Sequence, residues 1–247
     1  MNIWQKCQGL KHITQINCSV TRVVESHQLV ATMSLVDTHE EQELLELLLE
    51  ENKPQINIEE KHYLIKTPFR YPPLLYGSRF GEKHYPGIFY ASESINTCFS
   101  ECAYYRFLFI EGMEEYPESK KIHTQHITFW VTINSDNAIK LDKEPFSNHS
   151  EITSPNDYSL SQSLGTQMRD SGVETFSFIS ARDKQKGINY GVFDQKAIIS
   201  TSPYRVNHWQ CTTSKSSIIF YDQISNSSYE FHKKQFLIND MLPAAAV

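Results

Sequence analysis

The residues best suited to chemistry lie in two stretches of the chain, residues 67–105 and 176–193. They supply cations, an aromatic ring, a carboxylate and a hydroxyl at Arg70, Arg79, Arg182, Tyr90, Glu101 and Ser180. A guanidinium presents its donors in a planar fork that matches phosphate oxygens. A carboxylate and a hydroxyl can hold sugar hydroxyls, and an aromatic ring can stack on a base. The set therefore suits an anionic ligand with an aromatic ring and sugar hydroxyls, a description that a nicotinamide dinucleotide fits.

Glu101 is the residue best suited to a catalytic role. Breaking the bond between nicotinamide and ribose develops positive charge on the sugar, and a nearby carboxylate stabilises that charge, as in glycoside hydrolysis. Nicotinamide leaves as a neutral molecule, so no second carboxylate is required as a general acid. The alternative is that Glu101 is a solvated helix glutamate, and Glu93 is the nearby carboxylate that would then take the role.

Two arginines compete for the pyrophosphate of such a ligand. Arg79 lies in the sequence GSRFG, where glycines permit a turn, and Arg70 lies shortly before it. The pattern does not decide which of the two binds the phosphate oxygens. Tyr90 ends a short apolar run, where its ring can stack on nicotinamide or ribose, or fill the core as an ordinary buried tyrosine.

Ser180 and Arg182 lie where a β-rich run meets a polar loop. We expect the Ser180 hydroxyl to bond the ribose or the nicotinamide amide. No G-x-S-x-G surrounds this serine, and no histidine has the spacing of a nucleophile's partner, which argues against a serine hydrolase. Arg182 and Asn189 border the pocket, or alternatively Arg182 forms a surface ion pair with Asp183.

Motifs for other chemistry are absent from the chain. It contains no G-x-G-x-x-G, no G-x-x-x-x-G-K-[ST] and no H-E-x-x-H. We therefore expect NAD to bind as a substrate, with no cofactor and no metal. Cys98 and Cys102 lie four residues apart, but further ligands are lacking, and buried thiols are the simpler interpretation. Five cysteines without a C-x-x-C predict a reducing compartment, and hence the cytoplasm.

Composition excludes several classes of partner. The chain has 247 residues, a formal net charge of −6 and dispersed basic residues, which argues against nucleic acid as the primary ligand. No apolar run approaches the roughly 20 residues of a membrane-spanning helix, and the N-terminus has no apolar signal core. We therefore expect a globular protein without a membrane partner.

Sequence patterns predict an α+β fold, with a sheet core, flanking helices and an N-terminal helical extension. Residues 18–50 are predicted to be helical, and the leucine-rich part after Asp37 faces the core or, alternatively, forms a dimer surface. The segment HYLIKTPFRYPP is predicted to be extended, which places Arg70 on a strand end or loop. We expect residues 1–54 to pack on a domain at 55–247 as one structural unit.

The later elements are predicted from alternation, periodicity and turn residues. Strands are predicted at 87–91, 173–180 and 187–193, and helices at 97–109 and 160–169, the last ended by Gly172. HITFWVTINSDNAIKLD is predicted to form strands joined by a turn at residues 134–137. Residues 216–221 and 229–236 are predicted to form a hairpin.

The order of the arginine, glutamate and serine also carries a family resemblance. RF before a G-x-[FY]-Y strand, followed by a helix with glutamate, resembles the RES domain family, which is named for those three residues. The stretch SARD-x-x-x-G-x-N resembles the family's serine segment, and the similarity runs from about Arg22 to Phe236. The resemblance implies an ADP-ribosyltransferase-like fold with a mixed or antiparallel sheet, and cleavage of NAD, often as the toxin of a toxin–antitoxin pair.

Several functions fit these residues. The leading hypothesis is an enzyme that cleaves NAD, by hydrolysis or phosphorolysis or by transfer of ADP-ribose to a protein. A module that binds a nucleotide without catalysis, or an interaction protein that uses the leucine-rich helix, is the alternative. The resemblance further implies a helix-turn-helix antitoxin as partner, and the extra N-terminal length allows a homo-oligomer.

Overall fold

The computed structural model describes residues 2–26, 38, 40–41, 44–45, 48, 61–71, 75–114, 116–117 and 119–244. The α-helices are α1 (Ile3–Lys6), α2 (Tyr63–Arg70), α3 (Ile95–Glu111) and α4 (Ser159–Asp170). The strands are β1 (Thr14–Glu25), β2 (Phe89–Ser92), β3 (Ile122–Lys140), β4 (Thr175–Ile179), β5 (Ile188–Val192), β6 (Tyr204–Thr213), β7 (Ser217–Asp222) and β8 (Ser227–His232). Short 3-10 turns lie at Gly9–His12, Phe146–Asn148, Ser150–Thr153, Gln195–Ala197 and Lys233–Gln235.

The strands form one sheet in the order β1-β2-β5-β4-β3-β6-β7-β8. β1 also pairs with β3, so five of the strands close into a ring and the other three continue the sheet from β3. Only β3 and β4 run parallel, and the remaining pairs are antiparallel. The predicted α+β fold with a mixed, largely antiparallel sheet is therefore confirmed.

Strand β1 corrects the prediction of an N-terminal helical extension. It pairs with β3 from Thr14 opposite Ala138 to Glu25 opposite His126. Its sequence, TQINCSVTRVVE, is rich in β-branched residues, which pack well on a pleated surface. Periodicity alone does not separate helix from strand in so short a run, and the long pairing with β3 decides. The helical prediction is therefore wrong for residues 18–25, while residues 27–37 and 49–60 lie outside the described part of the chain.

Helix α2 corrects the prediction of an extended segment around Arg70. Residues 63–70 are helical although Pro68, in the second turn, removes one i→i−4 hydrogen bond, so other contacts must offset that cost. The His62 Nδ1 accepts a hydrogen bond from the backbone N–H of Leu64 at the start of the helix. Ile65 is fully buried, and the Phe69 ring stacks on that of Phe89. Burial of this apolar face outweighs the extended preference before proline, so Arg70 ends a helix.

The predicted turn at residues 134–137 is also wrong, because β3 is continuous through it. The Ser135 hydroxyl accepts from the backbone N–H of Asn137 and donates to Glu174 Oε2 at 2.6 Å. These bonds satisfy polar side chains that, in sequence, are typical of a turn. The other predicted elements are confirmed within a few residues, and Gly172 ends α4 with a left-handed φ of 78°.

Helix α3 is anchored to the sheet by an aromatic core. Phe99 stacks on Phe220 at 4.1 Å between ring centroids and meets Trp209 edge-on at 4.9 Å. Ala103 and Phe107, on the same face, are also buried. Aromatic pairs of this kind typically contribute about 0.5–1.5 kcal/mol each beyond the area that they bury. The helix is therefore a rigid base for the side chains on its other faces.

The leucine-rich segment is described only in part. Residues 40, 41, 44, 45 and 48 have helical backbone, and Asp37 lies outside the described residues. Leu44 and Leu48 are 55% and 46% exposed, so the prediction that this helix faces the core is wrong for these two side chains. Among the described residues, no helix is long and apolar enough to cross a membrane.

Candidate functional site

Helix α3 places Glu101 on the wall of a cleft. The helix begins after Ser94, whose hydroxyl caps it by accepting from the backbone N–H of Thr97 at 3.1 Å. Glu101 lies in the second turn, on a different face from the buried Phe99, and is partly exposed. Glu93, the other carboxylate considered, is exposed and precedes the helix, outside the residues that line the cleft.

The Glu101 carboxylate is held at one oxygen by two hydrogen bonds. Ser180 Oγ donates to Glu101 Oε1 at 2.6 Å, and Asn189 Nδ2 donates to the same oxygen at 2.8 Å. Ser92 Oγ donates to Asn189 Oδ1 at 2.6 Å, which fixes the orientation of the amide. Within the described part of the chain, no hydrogen bond reaches Glu101 Oε2. The carboxylate is thus oriented, with one oxygen left for a ligand.

The Ser180 hydroxyl forms hydrogen bonds both with Glu101 and within its own loop. Besides donating to Glu101, its hydroxyl accepts from the backbone N–H groups of Arg182 at 3.2 Å and Asp183 at 3.0 Å. The serine is 4% exposed and is not among the residues that line the cleft. Its single proton is donated to Glu101, so Ser180 orients this carboxylate, and its expected bond to ribose or nicotinamide stays a prediction.

Tyr90 connects the wall of the cleft to the turn that carries Arg79. Its hydroxyl lies 2.9 Å from Ser78 Oγ and accepts from the backbone N–H of Phe80 at 3.1 Å. Burial raises the pKa of Tyr90 to about 12, so the phenol is protonated at neutral pH. The ring lines the cleft and contacts Phe178 edge-on. Tyr90 thus lines the cleft and also packs against the core, and its stacking on nicotinamide or ribose stays a prediction.

Arg79 and Arg182 converge on Tyr158. Arg79 stacks over the Tyr158 ring at 4.3 Å and donates to the Ser154 carbonyl at 2.6 Å. Arg182 donates to the Pro155 carbonyl at 2.5 Å and lies 3.4 Å from the centre of the Tyr104 ring. Arg79 lines the cleft, whereas Arg182 does not. Arg182 is buried, so it is not the surface ion-pair residue of the alternative interpretation.

Arg22 of β1, which was not among the predicted site residues, lines the cleft, whereas the predicted Arg70, at the end of α2, does not. Arg22 Nη1 donates to the Tyr90 carbonyl at 2.6 Å, and its guanidinium lies 5.1 Å from the centre of the Phe89 ring. Its Nε has no hydrogen-bond partner within the described residues. Burial lowers the pKa of Arg22 below its usual value, as expected of a cation without a carboxylate beside it.

Arg22 was missed because its segment was interpreted as helix. The signal was present in the sequence, since a lone arginine interrupts the β-branched run VTRVV. In a strand, such a residue either faces solvent or lies in a site. Asn189 was considered only as a residue bordering the pocket, and its bond to Glu101 depends on the pairing of β5 with β2, which brings Asn189 opposite Ser92.

The cleft has a volume of about 880 Å³ and runs along α3. One end is lined by Arg22, Arg79, Tyr90, Glu101 and Asn189, and the other end extends towards the C-terminus of the helix. Cys98 also lines it, and burial raises the pKa of this thiol to about 12. A protonated thiol is neither a nucleophile nor a metal ligand. No group of three or more metal-ligating side chains occurs within the described residues.

Comparisons with known proteins were made at the levels of family, sequence and structure. The RES domain family matches residues 55–214, more than half of the chain. A comparison with curated proteins found no match. Among solved structures, the crystal structure of the M. tuberculosis MbcT–MbcA toxin–antitoxin complex is similar over 81% of this chain and 88% of its own chain, at 8% sequence identity and a TM-score of 0.49. On the strength of the family match, the chain belongs to the RES domain family.

Proposed function

We propose that this protein cleaves the bond between nicotinamide and ribose in NAD. The observation that carries the proposal is the carboxylate of Glu101, oriented by Ser180 and Asn189 on the wall of the cleft with Oε2 open. Membership of the RES family supports the same reaction, since the family resemblance implies NAD cleavage. The absence of a Rossmann fingerprint from the sequence agrees with NAD as a substrate rather than as a redox cofactor.

Charge complementarity defines how NAD would bind. The two cleft-lining arginines near Glu101 are Arg22 and Arg79, and each already donates one bond to a backbone carbonyl. The remaining N–H groups of each fork are donors for pyrophosphate oxygens. Arg22 and Arg79 are both candidates to hold the pyrophosphate, because both line the cleft that Glu101 lines.

The proposed cleavage of NAD needs no cofactor, because the bonds broken and formed account for all electrons and protons. The C1′–N bond breaks and its electron pair stays with nicotinamide, which leaves neutral. Positive charge develops on the ribose ring, and Glu101 Oε2 stabilises it. An oxygen of water or phosphate then bonds to C1′, and the proton released from water passes to solvent. Tyr90, protonated and on the cleft wall, offers a ring against which nicotinamide or ribose can stack.

The acceptor and the biological role are part of the proposal. Water gives hydrolysis, phosphate gives phosphorolysis, and a protein side chain gives ADP-ribosylation. We propose a toxin role in a toxin–antitoxin pair with a helix-turn-helix partner, on the strength of the family alone. A homo-oligomer through the exposed Leu44 and Leu48 is a further proposal. A nucleotide-binding module without catalysis is the competing function.

Nicotinamide release from NAD by the purified chain, with and without phosphate, tests this proposal. The Glu101→Gln variant keeps an oxygen for Ser180 and Asn189 but removes the charge, so we expect a loss of at least roughly a hundredfold in rate with an unchanged fold. Glu93→Gln is the matched control and should retain full activity because Glu93 is exposed away from the cleft. Full activity of Glu101→Gln would exclude the mechanism, and no release by the wild type would favour the binding module.

A further inference from the structure

The cleft continues well past the carboxylate that the proposed cleavage uses. Its distal arm, as we name it, is lined by Phe109 and Met113 of α3, Ile122 and Thr124 of β3, and Glu25 of β1. An α-helix rises 1.5 Å per residue, so Phe109 lies about 12 Å beyond Glu101 along the axis of α3. Nicotinamide and its ribose cannot fill both places. The distal arm is therefore space for another part of the ligand.

The side chains of the distal arm are those that bind a flat ring. Phe109 is 61% exposed, although phenylalanine side chains are usually buried. It projects from a helix whose opposite face packs against the sheet, and it lines the cleft. Aromatic side chains of this kind can stack with any of the bases, because every base has a flat π-face.

The inner end of the distal arm offers a hydrogen-bond acceptor. Arg106 Nη1 donates to Glu25 Oε2 at 3.1 Å, and Arg106 Nε donates to Thr213 Oγ1 at 2.7 Å. These bonds orient the Glu25 carboxylate, which is 39% exposed and accepts no hydrogen bond at Oε1 from any residue that the structure describes. A carboxylate oxygen accepts from an exocyclic amino group, and adenine carries such a donor at N6.

We propose that the distal arm binds the adenine ring of the dinucleotide, stacked on Phe109 with its amino group towards Glu25. This inference rests on the proposed function, since it takes the nicotinamide ribose to lie at Glu101. Arg22 and Arg79 line the same cleft as Glu101, so cations for the pyrophosphate that joins the two halves of NAD are present in it.

Binding of AMP and of nicotinamide mononucleotide to the full chain, measured by calorimetry, tests the inference without turnover. Phe109→Ala should weaken AMP binding by roughly tenfold, because stacking on one aromatic side chain is worth about 1–3 kcal/mol per base. Binding of nicotinamide mononucleotide should be unchanged. Phe109→Tyr keeps the ring and should restore AMP binding. Ile224→Ala, in an exposed turn outside the cleft, is the control and should bind both as the wild type does.

The outcomes separate this inference from the cleavage reaction. Phe109-dependent AMP binding without nicotinamide release would support the adenine site and remove the proposed reaction. Nicotinamide release with the same Michaelis constant for NAD in the wild type and Phe109→Ala would keep the reaction and overturn the adenine site. AMP that does not bind, or binds equally to Phe109→Ala, would also overturn it. Hypoxanthine in place of adenine should weaken binding to the wild type but not to Glu25→Ala.

Discussion

At the scale of single residues, the central feature of the site is the orientation of one carboxylate, that of Glu101. Glu101 is an ordinary helix glutamate in sequence, and its place in the family pattern is what favours it over the nearby Glu93. The residues that orient it were harder to predict. Ser180 and Asn189 reach Glu101 from two other segments of the chain, and neither contact has a local sequence signal. Hydrogen bonds between distant segments follow only from the strand pairing.

Asn189 should behave as a positioning residue for Glu101. We expect Asn189→Ala to lower kcat by roughly tenfold or more, because one hydrogen bond to a charged group is worth about 1.5–3 kcal/mol, while the Michaelis constant for NAD changes little. Rates of nicotinamide release over a range of NAD concentrations measure both constants. Ser92→Ala, which frees the Asn189 amide to rotate, should lower kcat by a smaller factor.

A pH profile distinguishes this role from a purely structural one. Asn189→Asp places a second carboxylate beside Glu101, and like charges disfavour ionisation of both groups. The acid limb of kcat against pH should therefore move to higher pH in this variant. A rise of the Michaelis constant alone in Asn189→Ala, with kcat and the pH profile unchanged, would mean that Asn189 binds the substrate and does not position Glu101.

At the scale of elements, the sequence predicted the fold best where a pattern was long or had a clear end. Helix α3 has a serine cap, and α4 has a terminal glycine, and both were predicted within two residues. Strand β1 was misinterpreted because a β-branched run of this length also fits a helix, and only its pairing with β3 distinguishes the two. Because of that error, Arg22 was not recognised as a residue that lines the cleft. Helix α2 was missed because contacts of Ile65 and Phe69 outweigh the local preference of Pro68.

The junction of α3, β5 and the Ser180 loop is closely packed at Gly187. A Cβ at this position would lie 2.0 Å from Thr97 Oγ1 and 2.7 Å from Asp183 Oδ2. These two side chains are buried and hydrogen-bonded to each other at 2.8 Å. No flexible side-chain end is available to move aside. Any side chain at residue 187 must therefore separate the helix from the loop that holds Ser180.

We expect Gly187→Ala to lower both the thermal stability and the rate of nicotinamide release. Overpacking typically costs about 1–3 kcal/mol, which for a chain of this size corresponds to a fall of several degrees in melting temperature. Gly112→Ala is the matched control, because its Cβ would meet nothing closer than 3.6 Å. Calorimetric melting and the release assay measure the two effects. Unchanged stability in Gly187→Ala would show that the junction relaxes, and the packing argument would then be wrong.

At the scale of the whole molecule, the net charge of the chain is negative, whereas the lining of the cleft contains more arginines than glutamates. The chain carries a net charge of −6, yet the cleft is lined by three arginines and two glutamates, Arg22, Arg79, Arg106, Glu25 and Glu101. A cleft focuses the field of its own lining charges, so an anionic dinucleotide can be attracted by a protein that is acidic overall. The acidic remainder argues against nucleic acid as a partner, and that expectation stays a prediction. Composition alone does not locate the ligand.

Expression of the chain in bacteria, without a partner protein, should lower cellular NAD and slow growth. The proposed reaction needs only NAD and water or phosphate, all of which are abundant in cells. Glu101→Gln should relieve both effects fully, and Glu93→Gln should relieve neither. Ser180→Ala should relieve them in part, because Asn189 still holds the same oxygen of Glu101. Extracted NAD and the growth rate, compared at equal levels of soluble protein, measure the outcome, and normal growth with undiminished NAD in wild-type cells would favour a nucleotide-binding module without catalysis.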